Sequence, residues 1–141
     1  MDNIDMTAAV IGMNDREINE LIELLATEEM TITRPPRSGL IMMTVKDSFD
    51  TDFHLGEVLV TEATVSVGGN EGFGMVTGEE PRKALARAAA DALLRAGRPE
   101  RLCEAVQAFL SDAQNRQTAQ VAAEAALTAT TRVSFDLMPG A

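Results

Sequence analysis

The sequence predicts an α+β fold, a mostly antiparallel sheet of about four strands packed with three to four helices. Three observations carry this. Residues 53–78 read as a long strand, a glycine-rich turn and a return strand, so two strands are joined as a hairpin. Residues 82–128 hold a nearly unbroken helical pattern, so the helices are grouped rather than alternated with the strands. Residues 133–137 return to alternation, with Val133, Phe135 and Leu137 on one side of a C-terminal strand.

The long strand is clearest over residues 57–67. Leu59, Thr61, Ala63, Val65 and Val67 share one face; Val58, Val60, Glu62, Thr64 and Ser66 share the other. Gly68, Gly69, Asn70 and Gly72 follow, residues that tolerate positive φ, in a turn expected to be longer than two residues or bulged. Phe73, Met75 and Thr77 then alternate with glycine and valine.

The remaining elements follow from caps, breakers and periodicity. Residues 1–13 are ambiguous: Met6 to Met13 is apolar enough to pack somewhere, a partner included, and the stretch can otherwise be flexible. Asn14 and Glu17 have capping-box spacing ahead of the stripe Ile18, Leu21, Ile22 and Leu25, which predicts an amphipathic helix of about four turns. Arg34-Pro35-Pro36-Arg37 reads as a stiff connector, because proline fixes φ and removes donors. Residues 40–46 are a strand with apolar side chains on both faces, and 47–52 an acidic loop. Thr77 and Glu80 have capping spacing before Pro81 and a helix over 82–96, whose inward stripe is Leu85, Ala89, Ala92, Leu93 and Ala96. Gly97 and Pro99 stop it. A third helix spans 100–110 and a fourth, alanine-rich, 112–128; the two can equally be one kinked helix.

Size and charge limit the function classes. The 141 residues suit one domain over 1–141. Net charge is −10, and residues 1–30 hold eight acids and one arginine, which argues against nucleic-acid or anionic-membrane binding. Five Phe with no Trp or Tyr leave few faces for base stacking. The single Cys103 allows no intrachain disulfide, no apolar run is long enough to span a bilayer, and the first residues lack a signal-peptide pattern. A cytoplasmic protein is expected.

Local chemistry is sparse. GFGMVTG at 72–78 has phosphate-loop glycines but no Gly-Lys-Ser/Thr, and it lies on a strand, so turn chemistry is the better reading. His54 is the lone histidine; it could work with Asp52 or Glu57 in acid–base chemistry, but an edge-strand surface position is the simpler account. Cys103 is expected to be a buried structural residue. Glu62, if its face is covered, needs a partner, and Arg132 on the terminal strand is the candidate. Six bases against two acids over 82–101 read as a solvated helix face, with docking of an acidic partner as the alternative. No cofactor, metal or catalytic residue is assigned.

Several stretches resemble the PhnG family, the G subunit of the bacterial carbon–phosphorus lyase machinery. They are RPPRSGLIMM at 34–43, FHLGEVLVTEA at 53–63, GFGMVTG at 72–78, ALARAAADALL at 84–94 and TRVSF at 131–135. The resemblance covers roughly residues 16–138. It departs from the family at DSFDTD (47–52), where a Gly-Gly turn is common, and at Ser134 and Pro139, which replace an acid and an arginine. It implies an accessory subunit that supports transfer of a phosphonate to C1′ of a nucleoside triphosphate with loss of the base. The implied partners are the I subunit first, then H, J and L, with a homo-oligomer when isolated. Glu57, Glu62, Arg132 and Phe135 are the candidate interaction residues. The rivals are a homo-oligomeric structural protein without ligand and a small hydrolase using His54.

Overall fold

The computed structural model describes residues 5–131. Their order is α1 (Met6–Ile11), α2 (Asp15–Leu25), β1 (Thr31–Lys46), β2 (Asp52–Val67), β3 (Asn70–Thr77), α3 (Pro81–Ala96) and α4 (Glu100–Thr131). The class is α+β, with one antiparallel sheet in the order β1-β2-β3 and four helices. The described residues contain three strands, one fewer than expected; the predicted C-terminal strand over 133–137 lies outside them.

The central hairpin is tighter than its glycines suggest. Val67 pairs directly with Asn70, so Gly68 and Gly69 form a two-residue turn. Their φ values of 55° and 83° fit the type I′ geometry that matches strand twist. The expectation of a longer or bulged turn came from counting Gly72 as a turn residue. Gly72 and Gly74 instead lie within β3, buried and facing α3.

This face is where helix and sheet meet. A Cβ on Gly72 would overlap the backbone of Ala88 and Ala92; one on Gly74 would overlap that of Ala84 and Ala88. Helix backbone therefore lies directly on strand backbone, which only glycine opposite alanine permits. The inward surface of α3 is wider than a single stripe. Ala84, Ala86, Ala88, Ala89, Ala90, Ala92 and Leu93 are all buried, since the sheet covers one side and the other helices a second. On β2, Thr61, Ala63, Val65 and Val67, which the alternation sets on one face, point into this core, while Leu59 lies beyond the helix and is exposed.

The N-terminal segment belongs to the core. Ala9, Val10 and Met13 are buried within the chain, which resolves the ambiguity against a flexible or partner-contacting stretch. Lys83 Nζ donates to Ile11 O at 2.8 Å, Arg87 Nε to Thr7 Oγ1 at 2.9 Å and Gln117 Nε2 to Ala9 O at 2.8 Å. Two bases of the 82–101 run thus hold α1, so that run is not simply a solvated face. Asn14 and Glu17 form the predicted capping box, and Ile18, Leu21 and Leu25 are buried. The helix they start has 11 residues, about three turns rather than four.

One strand boundary differs from expectation. β1 begins at Thr31 and runs through Pro35 and Pro36 instead of starting at residue 40. It is an edge strand, and its register slips between Ile32 and Arg34 and again between Arg34 and Arg37, where the missing donors do least harm. Of the two readings open for residues 100–128, the single helix is the one found, running continuously over 100–131.

The junction between β3 and α3 is made by Thr61 rather than by a Thr77 cap. Thr61 Oγ1 donates to Gly78 O at 2.6 Å and accepts from Glu80 N at 3.0 Å, and the residue is 1% exposed. Thr61→Val keeps the shape and strands both partners. It should cost about 2 kcal/mol in urea unfolding. Gly74→Ala should cost about 3 kcal/mol, because the added methyl meets backbone that cannot rotate away. Gly39→Ala, where a Cβ meets nothing within 4 Å, should stay within about 0.5 kcal/mol of the parent.

Candidate interaction surface

The sheet has one covered face and one open one. Side chains alternate along a strand, and directly paired residues share a face. Since Thr61, Ala63 and Val65 point at α3, Val58, Val60, Glu62 and Thr64 point away from it; Val60 and Thr64 are buried by their neighbours on that face, and Val58 and Glu62 are half-buried. Their pairings extend the open face to Ile41 opposite Val58, to Arg37 and Met75 opposite Glu62, and to Phe73 opposite Thr64. Ile41, Met43, Phe53, Phe73 and Met75 leave large apolar area on this face exposed to solvent.

The part of β2 before residue 60, with its β1 partners from Leu40 onward, projects past the helices as an arm. Leu40, Met42 and Leu59, on its other face, are exposed too. Its tip is built by Asp47, whose Oδ1 accepts from Phe49 N and Thr51 N at 2.9 Å, and Phe49 there is 86% exposed. A two-stranded ribbon apolar on both faces has no core of its own. Patches of this kind mark surfaces that another molecule covers.

A cleft of about 440 Å³ lies at the other end of the open face. Its lining includes Arg34, Arg37, Glu62, Thr64, Glu71, Phe73, Asp91 and Arg95. Asp91 is the best-tied group there: Oδ2 accepts from Phe73 N at 3.0 Å and from Arg95 Nε at 3.1 Å, and Arg87 Nη1 is 3.8 Å from Oδ1. The Asp91 and Arg87 side chains are only 14% and 17% exposed, so screening weakens this pair less than the open pairs Arg16–Glu20 and Lys46–Asp50.

The predicted site residues do not converge. Glu57 is exposed on the arm opposite Met42. Glu62 is half-buried in the cleft, across from Arg37. Arg132 and Phe135, and with them the proposed Glu62–Arg132 pair, lie outside the described residues. His54 is exposed on the arm with Nδ1 3.0 Å from Thr44 Oγ1, and neither Asp52 nor Glu57 pairs with it. In the sequence Arg34 and Arg37 read only as part of a connector; pairing of that segment with β2 sets them in the cleft that Glu62 lines.

Cys103 is buried, with Sγ donating to Leu93 O at 3.5 Å. Burial pushes its thiol up; a hydrogen bond from its own backbone N–H, which favours the thiolate, opposes this, and the Glu100 and Glu104 carboxylates add to the rise. The fold therefore favours the neutral thiol. That contribution is whole below the thiol's unfolded range and is lost as pH rises through the raised folded value. Iodoacetamide at pH 8 should label the native chain more than about tenfold slower than the urea-unfolded chain. Mass spectrometry of timed samples reads this directly.

Among the described residues no helix is long and apolar enough to cross a membrane. Comparison with curated proteins returns no match. The family model described as phosphonate metabolism protein PhnG matches residues 4–140, nearly the whole chain. The strands, the glycine–alanine contact and the arm all fall within the matched span, and the chain belongs to the PhnG family of phosphonate metabolism proteins.

Proposed function

We propose that this chain is an accessory subunit of the carbon–phosphorus lyase system, acting as one PhnG-like domain in the cytoplasm. In that role it supports transfer of a phosphonate to C1′ of a nucleoside triphosphate with displacement of the base. Its first partner is the I subunit, followed by H, J and L. Family membership supports the setting. The observation that carries the subunit role is the apolar arm and open sheet face, which the chain's own described helices leave uncovered. The hydrolase alternative gains nothing from His54, whose partner is a threonine hydroxyl rather than an acid.

Co-expression with the I subunit tests this reading. The two chains should co-elute in gel filtration. Ile41→Asp with Phe53→Asp, both exposed and outside the helix-packed core, should weaken that association roughly tenfold or more. A chain that is stable and monodisperse alone and does not co-purify with the I subunit would count against the subunit role.

A further inference from the structure

The three-stranded sheet has two outer edges, and they are treated differently. The β3 edge is sealed by α3, where Asp91 accepts the Phe73 N–H that a further strand would otherwise take. The first part of the β1 edge is blunted by Pro35 and Pro36 and by two register shifts. From Ser38 to Val45 the ladder has a single irregularity, the shift between Met43 and Thr44, whose extra residue lies on β2, so β1 itself stays regular there. This segment has no proline and no charge, and no described strand pairs with its outer side.

The direction of its backbone follows from the ladder. In an antiparallel pair, successive residues turn their N–H and C=O alternately to one neighbour and the other. Leu59 O accepts from Gly78 N at 2.8 Å on the β3 side, so Leu59 turns away from β1. Leu40, directly opposite Leu59, therefore turns its own groups outward. By alternation Ser38, Met42 and Thr44 do the same.

We propose that the outer edge of β1 over residues 38–45 accepts an extended segment of a different polypeptide chain as a fourth strand of the sheet. This rests on the subunit reading above and names the surface that reading requires. Main-chain bonds to Leu40, Met42 and Thr44 supply the pairing, and apolar residues of the incoming segment continue the two apolar faces of the arm. The charges specify its ends. β1 carries Arg34, Arg37 and Lys46 and no acid, so the incoming segment has acidic residues flanking an apolar centre. A second copy of this chain fits poorly. Paired antiparallel about Ile41, it would set Arg37 beside its mate's Lys46 at both ends, between two molecules of net charge −10.

Hydrogen exchange on the full chain, free and co-expressed with the H, I, J and L subunits, tests the proposal. The Leu40, Met42 and Thr44 amides should exchange rapidly in the free chain and at least about tenfold more slowly in the complex. Met42→Pro removes one outward donor without touching the β1–β2 bonds; it should weaken co-purification about tenfold, while Met42→Ala retains most of it. Circular dichroism and melting establish that the proline variant is folded, and the exchange readout on the parent chain stands whether or not it is. A complex that forms with those amides still unprotected overturns strand pairing and leaves the subunit role intact. Failure of the parent chain to form any complex removes the subunit role and this proposal together. A free chain that is dimeric with the same amides protected assigns the edge to a second copy and overturns the choice of partner.

Discussion

The contact between β3 and α3 is the constraint on which the other packing depends. Gly72 and Gly74 let the helix backbone settle onto the strand at Ala84, Ala88 and Ala92. At that separation no larger residue fits on either side. Because α3 lies so low, its far side can be covered in turn by α1, α2 and the first part of α4, and small residues are buried around most of its circumference. Lys83 and Arg87 reach from α3 to α1, and Asp91 from α3 to the β3 edge. The helix is therefore the hub through which the N-terminal segment, the sheet and α4 share one core.

Local signals made most of the elements legible. The capping box at Asn14, the alternation along β2 and the glycine stop at Gly97 each depend on neighbours within a few residues, and each is found where expected. The errors concern tertiary contacts. Gly72 looks like a turn residue until α3 is placed against it. Pro35 and Pro36 look like a connector unless the strand is known to be an edge. Met6 to Met13 has no local feature that distinguishes packing on its own chain from packing on another, and polar side chains of α3 and α4 decide the matter. The candidate site was less legible for the same reason, since Arg37 and Glu62 are 25 positions apart and meet only through strand register.

The arm and the core divide the chain into parts of different character. Where α3 covers β2, the inward positions are small or β-branched and closely packed. From Phe53 to Leu59 the same strand carries exposed Leu and Phe with no helix beneath, and its partner strand carries Leu40 to Met43 in the same condition. Extended pairing alone holds this region, with a bulge between Met43 and Thr44 and Gly56 at φ 133°. A stretch built in this way has little reason to retain apolar residues on both faces unless something outside the chain covers them.

The charge distribution bears on the life of the unassembled chain. An uncovered arm of this composition would tend to associate with its own kind during synthesis. Acids outnumber bases by 22 to 12, and eight of the acids precede the first strand, so each new chain acquires its repulsive charge before the adhesive segment is made. Such long-range repulsion is screened by salt, whereas apolar attraction is not weakened by it. Orphan molecules therefore lose part of their mutual repulsion as ionic strength rises.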